Sequence, residues 1–164
     1  MNAVFKGALV AVTALSATAA FAADGDGQAT VELVDNISIT QSSTLDFGYV
    51  LQGTTGNVVL GTDGTVTDAN NIYLNNASAG AWNLLAQDTK AVTITLPANG
   101  VVTVSDGTNT LAVNDFVRDG GALTGAGTAA GDEVAFNLGA TLQVVDTAPL
   151  GVYAGDFTVT AEYQ

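Results

Sequence analysis

Apolar and polar residues alternate in short runs along most of this chain, and clusters of Gly, Asn and Asp separate the runs. Alternation places successive side chains on opposite faces of a strand, whereas the helical period of 3.6 is hard to find after residue 22. We therefore expect strands at residues 30–34, 37–40, 44–50, 57–60, 71–74, 82–85, 91–96, 101–104, 110–117, 133–137, 141–145 and 155–163. Many short strands without interleaved helices predict an all-β fold, and a β-sandwich more than a parallel sheet.

Gly, Asn and Asp mark the expected turns. Gly and Asn admit positive φ and Asp can hydrogen-bond the turning backbone, so hairpin turns are expected at residues 61–64, 97–100, 105–107 and 119–121. Residues 119–132 are rich in Gly, Ala and Thr, which bury little area. This stretch is expected to form a long mobile loop.

The first 22 residues have the pattern of a secretory signal peptide. Lys6 supplies a positive start, residues 8–20 are apolar and small, and Ala20-Phe21-Ala22 offers small residues at a cleavage site. The apolar run is shorter than the ~20 residues that a spanning helix needs. We expect cleavage after residue 22, export through the periplasm, no membrane span after cleavage, and one domain in the mature chain.

The formal net charge of −13 limits the possible partners. A strongly acidic surface repels phosphate backbones and anionic lipid heads, so neither nucleic acid nor a membrane is expected as a partner. The chain contains no cysteine, so core burial, backbone hydrogen bonds and partner strands must stabilise it.

The residue types needed for most catalysis are missing. The absence of His and Cys removes the usual general base, metal ligands and thiol nucleophile, so no catalytic residue, metal site or cofactor is predicted. A carboxylate-dependent hydrolase is a distant alternative, because neighbours such as Asp132 and Glu133 would point to opposite faces of a strand.

Two acidic segments are candidates for weak calcium sites. Asp24, Asp26 and Gln28 partly match the start of a calcium loop, but Ala29 and Asp35 stand where its turn glycine and bidentate glutamate belong. We interpret this segment as a flexible acidic leader. Asp63 and Asp68 lie where turns collect Asp for backbone geometry, so a calcium site there is the weaker interpretation.

Trp82 is the only tryptophan and could stack on a sugar. Leu84 lies on the same side of its strand, which favours a tryptophan buried between two sheets.

The last residues carry the most informative pattern. Phe157, Val159, Ala161 and Tyr163 alternate with polar residues, so a strand would place all four on one face. An ordinary final strand of a sandwich would show the same alternation.

This ending resembles that of chaperone-usher pilus subunits, which share a penultimate tyrosine, alternating apolar residues and a glycine thirteen residues before the last; Tyr163 and Gly151 stand at these places. The chain also resembles exported bacterial domains of undefined function related to spore-coat-U-like pilins. The matching motifs are Leu45-Asp46-Phe47-Gly48, Gly139-Ala140-Thr141-Leu142 and the stretch from Gly151 to Val159.

The resemblance implies an immunoglobulin-like β-sandwich that lacks its final strand and is completed by a donor strand. Its apolar groove would be lined by Gly151, Phe157, Val159, Ala161 and Tyr163. A periplasmic chaperone fills the groove first, and after passage through an outer-membrane usher the N-terminal extension of the next subunit replaces it, which gives self-polymerisation or assembly with other pilin subunits. Many pilins carry a disulfide, and this chain has none.

The N-terminal extension must then offer a donor strand. Residues 23–35 are the candidate, since Ala29, Val31 and Leu33 alternate with Thr30, Glu32 and Val34, and residues 36–164 would form the pilin-like domain. The alternative makes residues 30–40 the first strand of a complete sandwich. Both interpretations are open on the sequence alone.

These observations lead to two expectations from different classes. The first is a structural subunit of an extracellular surface filament, a pilus or fimbria that supports adhesion or biofilm formation. The second is a self-contained secreted or cell-surface binding module for a glycan or a matrix protein.

Overall fold

The computed structural model of the protein describes residues 24–164. The signal peptide predicted at residues 1–22 lies outside them. The described strands are β1 (Ser38–Ser43), β2 (Tyr49–Val50), β3 (Gly56–Leu60), β4 (Val66–Asp68), β5 (Tyr73–Asn75), β6 (Gly80–Leu85), β7 (Ala91–Thr95), β8 (Val102–Ser105), β9 (Thr110–Arg118), β10 (Leu123–Thr124), β11 (Val134–Val144) and β12 (Thr160–Tyr163). All pairings between them are antiparallel. The predicted all-β sandwich is confirmed, while its completion by a donor strand stays a prediction.

The larger sheet is organised around β11. Its strands run in the order β1-β6-β11-β3-β4, and β9 pairs with β11 and with β8. Leu138 pairs with both Gly80 and Arg118, so β6 and β9 flank opposite edges of β11. The sequence predicts two strands in this region, at residues 133–137 and 141–145. That prediction is wrong, because the chain continues through Gly139 as one strand. The backbone of β3 packs so closely that a Cβ built on Gly139 would collide with the Leu60 carbonyl oxygen.

The smaller sheet, in the order β10-β7-β12, packs over part of the larger one. The core consists of two clusters: one between the two sheets, around Leu84, Val92 and Leu138, and one on the rest of the larger sheet, around Val58, Leu111 and Leu142. Phe157 packs against both clusters. β6, β9 and β11 each bury an apolar face. Removing apolar area from water stabilises the fold by about 25 cal/mol per Å².

Several predicted elements are corrected by the structure. Residues 24–37 contain no strand, so the strand expected at residues 30–34 is absent and the first strand begins at Ser38. The strand expected at residues 155–163 is confined to Thr160–Tyr163. The expected loop at residues 119–132 contains β10, because buried Leu123 anchors it to the core and its backbone pairs with β7.

The chain divides into two compact units, residues 1–32 and residues 33–164. In the first, residues 24–32 are all exposed. Among residues 24–164 we find no helix that is long and apolar enough to cross a membrane.

Candidate functional site

One face of the domain carries a largely apolar cleft of about 640 Å³. Its floor belongs to three strands of the larger sheet, β8, β9 and β11. The side chains that form this floor are Val102, Val104, Leu111, Val113, Leu142 and Val144. Residues 44–52 and residues 148–157 form the two walls. The only strand in either wall is the two-residue β2, so segments with little regular strand structure cover this floor.

The first wall is fixed by backbone pairing and by one tight turn. Asp46 and Ser78 exchange two backbone hydrogen bonds of 2.9 and 2.8 Å, and the Asp46 carboxylate accepts a third from the Gly48 N–H. Gly48 has a φ of 68°, and a Cβ there would collide with the Asn75 carbonyl oxygen. The Leu45-Asp46-Phe47-Gly48 motif therefore has a structural reason, because Asp46 and Gly48 together set the course of this wall.

The second wall is held to the edge of β8. Ala154 and Ser105 exchange two backbone hydrogen bonds of 3.0 and 2.8 Å. At the far end, the Gln52 side-chain amide donates to the Ala148 carbonyl oxygen at 3.0 Å, which joins the two walls. The wall then leaves β8 and enters the smaller sheet as β12, so the C-terminal segment passes from one sheet to the other beside the cleft.

The rim of the cleft exposes large apolar side chains. Tyr49 is 62% exposed, Leu150 82% and Val152 87%, and all three line the cleft. The floor residues Val102, Val113 and Leu142 are buried beneath the walls, so the apolar area left in water belongs to the rim. Exposed large apolar side chains beside a cleft are typical of an interaction surface.

One carboxylate behind the second wall stays ionised over a wide pH range. Asp106 accepts hydrogen bonds from the Asn109 backbone and side chain and from the Thr108 N–H, and these hold its pKa at about 2. Burial and the charge of Asp106 raise the pKa of the neighbouring Tyr153. Tyr153 also donates its hydroxyl proton to the Pro149 carbonyl oxygen at 3.0 Å, a bond within the first half of the wall.

The last strand has a strand neighbour on one edge only. Within residues 24–164, β12 pairs with β7 alone. Gln164 donates its N–H to the Ala91 carbonyl oxygen, so alternation along the ladder turns the backbone groups of Ala161 and Tyr163 toward the other edge. An edge of this kind can accept another strand.

The predicted groove residues divide between the cleft and the core. Gly151 and Phe157 line the cleft, whereas Val159, Ala161 and Tyr163 pack in the core cluster beneath the smaller sheet. The alternation is visible in their burial, because Thr158, Thr160 and Glu162 are all exposed. The sequence did not identify Tyr49, Leu51, Leu150 and Val152 as cleft residues. The one available signal was the close spacing of the apolar Leu150 and Val152 outside any predicted strand.

Two aromatic contacts place Phe157 at the junction of cleft and core. Its ring centroid lies 5.0 Å from that of Phe116 and 6.1 Å from that of Trp82. Trp82 is 9% exposed, so the prediction of a buried tryptophan is confirmed and its face is not available to a sugar.

The predicted donor residues lie outside every described strand. Ala29 is exposed, Val31 is 85% exposed and Leu33 is 87% exposed. Their role as donors stays a prediction.

The candidate calcium ligands make local bonds. The Asp63 carboxylate accepts hydrogen bonds from the hydroxyl and the N–H of Thr65, and these bonds lower the pKa of Asp63. The Asp68 carboxylate accepts hydrogen bonds from the N–H groups of Asn70 and Tyr73. Among residues 24–164 no three acidic side chains gather where they could hold a metal ion.

Comparison with known proteins gives one match. The family model described as a domain of unknown function, DUF4402, matches residues 37–163. No curated protein and no solved structure matches the chain.

Proposed function

This chain belongs to the DUF4402 family, and from that premise we propose that it is the structural subunit of an extracellular surface filament assembled by donor-strand exchange. The observation that carries the proposal is the apolar cleft between residues 44–52 and residues 148–157, above a floor of three paired strands. An added strand would complete the second layer there.

The N-terminal segment of a second copy is the proposed occupant. The polar Thr30 and Glu32 separate Ala29, Val31 and Leu33, and an extended strand directs alternate side chains to one face. Six residues in this conformation span about 20 Å. The side chains of Val31 and Leu33 are more than four-fifths exposed, so seating them in the cleft would remove apolar area from water.

The cleft and the segment are complementary in a second respect. Strand addition satisfies backbone donors and acceptors at a sheet edge, while pockets beneath the edge receive alternate side chains. Residues 148–153 of the second wall belong to no strand or bridge, and the wall is held to β8 by the Ala154 pairing. The proposed occupant supplies the missing pairing.

The assembly route follows from the hazard of an open apolar edge. Exposed edges and apolar patches aggregate, so a subunit of this kind needs a temporary partner during export. In this proposal a periplasmic chaperone covers the cleft first, an outer-membrane usher directs exchange, and the filament carries the protein to the cell surface.

The test uses the full exported chain with Val31→Ser and Leu33→Ser combined. Both side chains are exposed, so the variant should keep wild-type stability while losing polymer formation. Val101→Ser is the matched control, because Val101 is 71% exposed and does not line the cleft. Size-exclusion chromatography with light scattering measures the outcome.

Heat-resistant wild-type and control polymers beside a monomeric double variant would support the proposal. Polymers that persist in the double variant would refute it. A wild-type monomer that binds a sugar or a matrix protein would instead favour the self-contained binding module.

A further inference from the structure

The walls of the cleft carry acidic residues and no basic ones. Asp46 lines the main cleft, and Asp156 lines the small adjoining depression beside Phe157. Both are exposed. Asp106 lies just behind the second wall, where a Cβ built on Gly151 would be 3.7 Å from its Oδ2 atom.

The two basic residues of the described chain lie elsewhere. Neither Lys90 nor Arg118 lines the cleft or the depression. The Arg118 guanidinium donates to the carbonyl oxygens of Asp119 and Gly121, within its own loop. The field at the mouth of the cleft is therefore negative.

The proposed occupant has the same sign of charge. Residues 24–36 contain Asp24, Asp26, Glu32 and Asp35 and no Lys or Arg. Insertion would bring carboxylates of this segment toward the acidic walls, and exposed charges interact over ~10 Å at 0.1 M salt.

We infer that the cleft selects its occupant by charge as well as by apolar pattern, with Asp46 and Asp156 as specificity-determining residues that disfavour the chain's own acidic N-terminal segment. A segment with the same apolar residues but without the acids binds more tightly at low salt. Self-assembly consequently strengthens as ionic strength rises. This inference rests on the proposed function, since it concerns the same cleft and the same occupant.

The experiment measures binding of two labelled peptides to the full chain. The acceptor is the Val31→Ser, Leu33→Ser variant, whose cleft residues are unchanged. One peptide has the natural sequence of residues 24–36. The other carries Asp24→Asn, Asp26→Asn, Glu32→Gln and Asp35→Asn. Fluorescence anisotropy gives both Kd values at about 20 mM and about 500 mM NaCl, which bracket the range over which salt screens exposed charges.

The neutral peptide is expected to bind about fivefold more tightly at the lower salt concentration, and the difference should fall below about twofold at the higher one. An acceptor that also carries Asp46→Asn and Asp156→Asn should lose most of the difference at low salt. Asp88→Asn is the matched control, because Asp88 is exposed and does not line the cleft, and it should preserve the difference.

The outcomes separate the two proposals. Equal Kd values for the two peptides at low salt, or a difference that persists at high salt, would overturn the charge selection and leave donor-strand assembly standing. If neither peptide binds at either salt concentration, the proposed function itself fails.

Discussion

Replacing Gly155 by Ala should displace the second wall of the cleft. A Cβ at this position would collide with the Thr103 carbonyl oxygen and lie 3.1 Å from the Val104 Cα. Both neighbours are backbone atoms of β8, which its pairing with β9 holds in place, so they cannot yield cheaply. The wall must move instead.

Movement of the wall first breaks the paired bridge between Ser105 and Ala154. Its two hydrogen bonds measure 2.8 and 3.0 Å, and each contributes about 0.5–1.5 kcal/mol. We therefore expect Gly155→Ala to lower the free energy of unfolding by about 1–3 kcal/mol. With a urea dependence of about 1–3 kcal/mol per molar, the unfolding midpoint should fall by roughly 1 M.

Gly151→Ala provides the matched control in the same wall. The nearest atom to its added Cβ is the Asp106 Cβ at 3.4 Å, an ordinary contact, so its effect should stay within about 0.5 kcal/mol. Urea unfolding of the full exported chain, followed by tryptophan fluorescence, compares the two variants. Equal midpoints for Gly155→Ala and wild type would refute the claim that close approach to β8 fixes this wall.

Three further predictions concern the residues around the cleft. Phe157→Ala removes a half-buried ring from two aromatic contacts and should cost about 2–4 kcal/mol in urea unfolding, whereas Phe157→Leu should restore more than half; an equal loss in both variants would contradict this. Tyr163→Phe deletes a hydroxyl that accepts from the Gln87 N–H at 2.8 Å and donates to the Asp35 carbonyl oxygen at 3.0 Å, so it should cost about 1–2 kcal/mol by the same measurement, and a wild-type midpoint would speak against it. Asp106 has a folded pKa of about 2, below its ordinary 3.8, so its stabilising effect is complete above that ordinary value and disappears as the pH falls toward 2. Thermal unfolding should accordingly show Asp106→Asn less stable than wild type at about pH 5 and nearly equal at about pH 2, and a gap that is constant with pH would contradict the assignment.

Alternation and turn chemistry predicted much of the fold. The strands expected near residues 57–60, 82–85, 91–96, 101–104 and 110–117 all form within a few residues of their predicted bounds. Gly64, Gly100 and Gly107 adopt the positive φ that their turns require. These features are local, so residue type and spacing are enough to identify them.

The errors come from tertiary contacts that local patterns do not reveal. Residues 155–159 alternate like a strand, yet they cross from β8 to β7 and have no ladder partner. In the sequence, Gly139 indicates a strand boundary. In the structure it lies within β11, where its lack of a side chain allows the close approach of β3. Strand pairing decides both cases, and it depends on residues far away in the sequence.

The candidate site was predicted only in part. The alternating C-terminal residues do lie on one face, but most of them fill the core and only Phe157 reaches the cleft. The exposed rim at Tyr49, Leu150 and Val152 has no periodic signature. It forms because the fold places two segments with little strand structure on either side of an apolar floor.

Engineered cysteines test the central claim most directly, because the natural chain contains none. Leu33→Cys marks the proposed donor and Val152→Cys marks the rim, and both side chains are 87% exposed. A disulfide forms only when the Cβ atoms come within about 4.5 Å. The two full-length variants are purified separately, mixed under mild oxidation and resolved without reductant, with Val101→Cys replacing Val152→Cys as the control. The donor-strand account predicts a mixed disulfide dimer with Val152→Cys and far less with Val101→Cys. Equal yields from the two acceptors, or no mixed dimer with either, would contradict it.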